Sequence, residues 1–566
     1  MASFLGALRL KLHHSNSAAN AGPAPAAVSP RAMLVPLVLA QFLASYDTSS
    51  MNVAISRIVE DLDTTVTGVQ TAITLFTLTM AALMIPGSKL TDIWGRKRCF
   101  QMGMTLYGLG ALITSLAPTL GVMIIGFSML EGIGSALMIP PIYILITVSF
   151  TDTVSRAKAF ALVSAAGGLG SASGPLIGGL ITTTITWRAS FLAEVLVVLF
   201  ILYRGRQIVD AGPGENKPAF DLRGTIMSAA GLVLIVLGIL QAGTYGWLQS
   251  RKDFSIGDTV ILHQGDISPT VLLVALGLLT LGLFYWHMRH WEKQGKQPLL
   301  STRLFGNKTS NLGLLTQNIQ WLLMIGTFFT VSVFLQVSKG LNAIETGLAV
   351  TPATLGILLA ATRIEKQTKR FSPRQIIRAG FVLVLAGLGL ILLLVDAESS
   401  VLRFAPGLFL IGFGAGMMLT LSVNVVQSAW PDQDQGEISG VSRSVSNLGS
   451  TLGTAIAGAV LISALLSGLT TRVADSTVLS GEQKQQLNAA MQESVSAVSD
   501  QQVRDALQGQ PENVREEVVR INAEARNRAL GLSLVAISLL TLIGLGASLA
   551  LPRDAGRARD DAASTA

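Results

Sequence analysis

Gly87-Ser88-Lys89-Leu90-Thr91-Asp92-Ile93-Trp94-Gly95-Arg96-Lys97-Arg98 is a short polar bridge between two long apolar stretches, 70–90 and 100–117. So short a connection makes the flanking helices neighbours. Asp92 is placed to cap or pair at a helix terminus, and Gly95 gives the backbone freedom of a tight turn. Arg96, Lys97 and Arg98 concentrate positive charge on one side of whatever these stretches cross.

Outward from this bridge the chain keeps the same character. Hydrophobic residues make up 50% and charged residues 13%, with a mean hydropathy of +0.55. A soluble domain carries about 25% charge, so a polytopic membrane protein is expected. A span needs about 20 mostly apolar residues, and that rule finds about fourteen. They lie near 33–55, 70–90, 100–117, 120–146, 159–181, 189–203, 224–243 and 270–287. The others lie near 312–337, 346–362, 377–395, 405–430, 438–466 and 529–551.

Loop charge sets the orientation. About 28 Lys and Arg fall on the side of the 87–98 bridge and about 13 on the other, most of these in one long loop. Both termini are therefore expected in the cytoplasm. The net charge of +7 reflects this bias rather than nucleic-acid binding. No cleavable signal is expected: the first apolar run is too long, and a tail of about 30 residues precedes it. Within that tail, 3–12 could lie on the membrane surface, followed by a flexible linker. The one cysteine, Cys99, excludes an intrachain disulfide.

The expected layout has a cytoplasmic tail at 1–32, a first six-helix bundle at 33–205 and a linker at 206–311 with two extra spans. A second six-helix bundle follows at 312–551, then a tail at 552–566. Weak internal symmetry supports this duplication. Gly170, Gly174 and Gly179 align with Gly449, Gly453 and Gly458. The polar loop at 467–528 breaks the pattern. Ser480-Gly481-Glu482-Gln483 resembles a capping box, so this loop reads as a solvated helical hairpin, with a docking site for an accessory protein or a gate element as the alternatives.

The 87–98 bridge resembles the signature loop of the major facilitator superfamily, Gly-x-Leu-x-Asp-x-x-Gly-Arg-Lys, carried here by Asp92, Gly95, Arg96 and Lys97. Ser88 stands where the first glycine usually falls. Gly170-Ser171-Ala172-Ser173-Gly174-Pro175-Leu176-Ile177-Gly178-Gly179 resembles the antiporter motif of the same superfamily. Tyr46-Asp47-Thr48-Ser49-Ser50-Met51-Asn52-Val53-Ala54 resembles the first-span signature of its 14-helix drug:proton antiporters. The resemblance implies an all-α fold of two six-helix bundles plus an inserted helix pair, embedded in the plasma membrane. It also implies proton-driven multidrug efflux by alternating access.

An acid inside a membrane is expensive and functional by default, and burial favours its protonated form. Asp47 and Glu131 lie at similar depths, roughly 12 Å and 16 Å from the same side. Both are expected to face one cavity and to bind protons or cations. Glu194, close to the end of its stretch, reads as interfacial. Where many proton-coupled members have Arg-x-x-Gln-Gly, this chain has Ser128-Met129-Leu130-Glu131-Gly132: a positive charge is lost and a negative one gained.

Asn52, Gln317, Asn318, Gln320, Trp321, Asn424 and Gln427 suit a cavity lining, with Trp321 as a platform for a flat or cationic substrate. Ordinary interhelical hydrogen bonds explain them equally well. Arg443 is expected to snorkel or pair at the interface. No phosphate-binding loop, metal-ligand spacing or nucleophile–base set occurs, so no cofactor, metal or enzyme activity is expected. The implied partners are an amphipathic small molecule, cationic ones included, together with protons and membrane lipid. Two alternatives stand: an exporter or flippase of an endogenous metabolite or lipid-like molecule, and a non-transporting receptor or scaffold.

Overall fold

A computed structural model describes residues 30–150, 153–208, 210, 219–256, 259–368, 370–395, 399–430, 435–493, 503–504 and 507–552. The stretch at 3–12 and the tail beyond 552 lie outside the described residues. From Pro30 on, the chain is almost wholly helical. The first helices are α1 (Pro30–Asp61), α2 (Val66–Trp94) and α3 (Arg96–Ser115). The fourth span is continuous but mixed: α4 (Leu120–Met123), a π-helical segment (Ile124–Glu131) and α5 (Gly132–Ser149). Then come α6 (Thr153–Thr184), α7 (Trp187–Gly205), α8 (Leu222–Tyr245) and α9 (Pro269–Lys293). A small hairpin, β1 (Phe254–Ile256) with β2 (Thr259–Leu262), lies between the last two. The rest is α10 (Lys308–Val333), α11 (Ala343–Thr368), α12 (Pro373–Leu394), α13 (Phe404–Gln427), α14 (Gln435–Asp475), α15 (Gly481–Glu493) and α16 (Glu512–Ala550).

Among the described residues, ten helices are long and apolar enough to cross a membrane. Four more, α1, α3, α6 and α7, occupy expected spans at 19 to 32 residues. The 87–98 bridge forms the expected turn, with Gly95 at φ +94°. Asp92 does not cap it and is exposed. Asp210 does instead: its Oδ2 accepts from the Lys97 backbone N–H at 3.0 Å, and Oδ1 lies 3.7 Å from Arg96.

The aligned glycines have equivalent neighbours. Gly170 and Gly174 pack α6 on α1 at Phe42, Tyr46 and Ser49, leaving no room for a side chain. Gly449 and Gly453 pack α14 on α10 at Asn318 and Leu322. Gly179 faces Ala343 of α11, while Gly458 faces Gln70 of α2. Through these glycines α6 packs on α1 and α11, and α14 on α10 and α2. Of the remaining antiporter-motif glycines, Gly178 meets Ser50 of α1. Pro175 is buried, its carbonyl against Gly347 of α11.

The 467–528 loop is less of a loop than its polarity suggests. Both α14 and α16 run past their apolar stretches and pack together with α15 through Val473, Leu479, Val514 and Ile521. The capping box forms: Ser480 N–H donates to Gln483 Oε1 at 3.0 Å and Gln483 N–H to Ser480 Oγ at 3.3 Å.

Candidate functional site

Asp47 sits mid-helix in α1 and Glu131 ends the π-helical segment; both are wholly buried. Close helix approach puts them together. Gly110 of α3 and Gly126 of the π segment lie against one another, and a Cβ on Gly110 would stand 2.6 Å from Glu131 Cγ. A π-helical turn shifts the side-chain register, and such turns recur at functional sites. The Thr114 hydroxyl of α3, with one hydrogen to give, lies 2.8 Å from the Gly110 carbonyl and 3.3 Å from Glu131 Oε1.

Two further residues complete the cluster. Glu194 of α7 is 3% exposed, so it is not interfacial. Its helix starts at Trp187, capped by Thr186, and Trp187 and Phe191 above it are themselves buried. Tyr107 of α3 places its hydroxyl 3.2 Å from Asp47 Oδ2 and 3.1 Å from Glu194 Oε2. One oxygen from each of Asp47, Glu131 and Glu194 lies within 4.8 Å of the others. Among the described residues, none of the three acids makes an ion pair. Asp47 Oδ1, Glu131 Oε2 and Glu194 Oε1 have no hydrogen-bond partner.

This arrangement has definite chemical consequences. Like charges this close in a dry site repel strongly unless a proton or cation joins them. A tyrosine hydroxyl has one hydrogen to give. It can donate to Asp47 or to Glu194; the second contact becomes a hydrogen bond only when that carboxyl is protonated and donates to the phenol oxygen. The cluster also has the hard oxygen donors that a metal cation requires. No metal-ligand spacing is visible in the sequence because the acids come from three separate helices.

Ser128 shows what replaced the missing arginine. It is buried, and its hydroxyl donates to the Ala72 carbonyl of α2 at 2.8 Å, a helix clamp rather than a charge. At the far end of α1, Asp61 accepts from Arg188 at 2.7 Å and from the Trp187 indole at 2.9 Å. Arg188 also donates to the Ala117 carbonyl at 3.0 Å, tying α1, α3 and α7 together at that rim. Between rim and acids, Phe191 meets Trp187 and Phe127 edge-on at 6.0 Å and 5.9 Å.

The remaining predicted residues fall elsewhere. Asn52 is buried and donates to the Thr48 carbonyl at 3.1 Å; its own carbonyl accepts from Gln336 at 2.7 Å. Gln317 and Asn318 bond α10 to α14 through Ser442, Ser446 and the Val445 carbonyl. Gln320 is buried with neither amide atom partnered. Trp321 packs half-buried on the core, and Asn424 is exposed. No hydrogen bond among the described residues joins these to the three acids. Arg443 does not snorkel: it lies 4.7 Å over the Tyr143 ring and donates to its hydroxyl, across to α5.

Long apolar helices packed through glycine faces, with acids sealed among them, define a multi-pass membrane protein of the secondary-transporter class. Residues 37–454 match the model of the Major Facilitator Superfamily, and the chain belongs to that family. It is a transporter, not an enzyme. The puromycin resistance protein of Streptomyces alboniger is 28% identical over 74% of this chain and 78% of its own. The cephamycin export protein of Amycolatopsis lactamdurans is 28% identical over 74% of this chain and 82% of its own. Among solved structures, an inward-facing, unoccupied bacterial homologue of the human lysosomal transporter Spinster has a similar fold. It aligns with a TM-score of 0.57 at 16% identity, over 92% of this chain and 98% of that one.

Proposed function

We propose that this protein is a proton-coupled exporter of amphipathic organic compounds, cationic ones included, acting as a multidrug efflux carrier. The observation that carries the proposal is the convergence of Asp47, Glu131 and Glu194 around Tyr107 without an ion pair. Such a cluster gains protons when open to the acidic side and releases them when open to the other. The relatives' names, resistance and export proteins, support the direction. The driving force is about 2.3 kcal/mol per charge per 100 mV plus the pH gradient.

The same reading assigns about fourteen spans to two six-helix bundles, 33–205 and 312–551, with the 206–311 linker adding a helix pair. Rocking of the bundles alternates access. Asn52, Gln320, Trp321 and Asn424 line the path on this reading, and 87–98 with both termini faces the cytoplasm of a plasma-membrane protein. The partners are the substrate, protons and lipid, and an accessory protein could dock at 467–528.

The test is substrate-driven proton movement in proteoliposomes with D47N, E131Q and E194Q. Each variant is expected to insert normally and to lose coupled transport. Export at the wild-type rate by D47N and E131Q under a proton gradient overturns the assignment. The three-oxygen geometry favours a second reading, exchange against a metal cation instead of protons. Transport that follows an imposed sodium or potassium gradient at constant pH selects it.

A further inference from the structure

Where the charged first part of α16 meets its apolar remainder, a furrow of about 380 Å³ opens between α14, α16 and the loop after α8. Arg528, Leu532 and Leu539 line it from one face of α16, with Ala464 of α14 opposite and Arg251 and Trp247 from the loop. From Arg528 to Leu539 the helix rises roughly 16 Å, about half the hydrocarbon thickness of a bilayer. The furrow therefore has the depth of one leaflet. Its apolar wall is open: Leu532 is 43% and Leu539 60% exposed.

The head of the furrow is cationic. Arg251 and Arg528 come from different elements, and among the described residues neither makes an ion pair. The acids nearest in sequence are engaged elsewhere. Asp253 accepts the Gln264 N–H at 2.7 Å and Asp266 the His263 N–H at 2.8 Å. Glu524 is held by Arg472 at 2.8 Å and Arg520 at 2.6 Å. Backbone geometry fixes the approach of Arg251. Gly246 has φ +89°, and a Cβ there would stand 3.3 Å from Arg251 Cγ, so the side chain lies directly over the glycine. Trp247 beside it suits an interfacial anchor.

We propose that this furrow holds one anionic phospholipid from the leaflet on the side of the 467–528 loop. Its phosphate lies between the guanidiniums of Arg251 and Arg528, which suit phosphate oxygens through paired N–H donors. One acyl chain lies along Leu532 and Leu539. The lipid then bridges the α8–α9 pair and α16. The site lies apart from the buried acids and does not depend on what they bind.

The test uses the full-length protein in vesicles of equal phosphatidylglycerol and phosphatidylcholine, then extraction and native mass spectrometry. Wild type is expected to retain one phosphatidylglycerol. R251Q/R528Q is expected to lose at least tenfold of that occupancy, and R251K/R528K to keep more of it. A second measurement covers any folding defect: brominated phosphatidylglycerol should quench wild-type fluorescence more than that of W247F. Equal retention by R251Q/R528Q, or phosphatidylcholine held as often as phosphatidylglycerol, overturns the site, as does equal quenching of W247F.

Discussion

Tyr107 is where the three acids become one chemical unit, because its single hydroxyl hydrogen faces two carboxyl groups at 3.2 Å and 3.1 Å. Removing that hydroxyl takes the donor from one of the two buried carboxyl groups, Asp47 or Glu194, and the contact from the other, at a cost of roughly 1–3 kcal/mol. Y107F is therefore expected to slow proton-driven transport roughly tenfold while leaving substrate binding in place. Proteoliposome flux beside equilibrium binding checks this, and unchanged flux removes Tyr107 from the relay. That Asp47 and Glu131 lie deep in the protein was legible in the sequence, because each stands well inside an apolar stretch; that they meet one another was not. Glu194 was not: its depth depends on Trp187 starting the helix inside the protein, buried against Asp61 and Phe191. Tyr107 gave no signal, since an aromatic residue in an apolar helix looks the same whether it faces lipid or a carboxylate.

At the level of elements, glycine decides which helices touch. A Cβ on Gly179 would lie 2.6 Å from the Ala343 carbonyl of α11, whereas one on Gly168 of the same helix meets nothing within 4 Å. G179L is expected to cost roughly 1–3 kcal/mol through overpacking, and G168A to be neutral or slightly stabilising. Thermal aggregation onset followed by size-exclusion chromatography checks the contrast; equal behaviour contradicts the packing account. The glycine repeat made close packing legible in both halves, but which neighbour each glycine meets depends on helix rotation, which spacing alone does not give. The π-helical turn before Glu131 was equally hidden, because it alters register without altering composition. The cap formed by the extended ends of α14 and α16 makes a pH prediction. Hydrogen bonds from Arg520 and Ser476 hold the Glu517 carboxyl below the usual glutamate range, and Arg472 with Arg520 does the same for Glu524. Groups with lowered folded values stabilise above the unfolded glutamate pKa, about 4.3, and lose that contribution as pH falls through the folded values. Amide protection factors around Arg472, Glu517 and Glu524, corrected for the intrinsic pH dependence of exchange, should therefore fall as pH drops below about 4, while those of the buried parts of α10 and α14 hold. Acid-insensitive exchange there rules the network out as a stabiliser.

On the scale of the whole molecule, polar contacts join α1, α2, α5 and α6 to α10, α11 and α14, and the proposed alternating access requires some of them to part. Gln336, just past α10, accepts from the Ser56 N–H and hydroxyl at 3.0 Å each and donates to the Asn52 carbonyl at 2.7 Å. Nearer the 87–98 side, Arg443 of α14 rests on Tyr143 of α5, and the Tyr143 hydroxyl donates to Gln41 of α1 at 3.2 Å. Along the seam between these points, Gln70 donates to the Thr454 carbonyl at 3.0 Å and Ser444 to the Ala81 carbonyl at 2.6 Å. The α2–α14 seam thus runs between the two ends, while the Gln336 and Arg443 contacts sit near opposite ends of it. A carrier that rocks about this seam opens one end at a time. The chain has one native cysteine, the buried Cys99, so a C99S background permits defined cross-links. In that background S56C/Q336C, bridged by a short bifunctional thiol reagent, is expected to lose transport almost completely and recover on reduction. The uncross-linked pair should transport, and S56C or Q336C alone should be insensitive to the reagent. Transport that continues with the bridge in place means that the Gln336 end does not open during the cycle, and rocking about the α2–α14 seam fails as the mechanism.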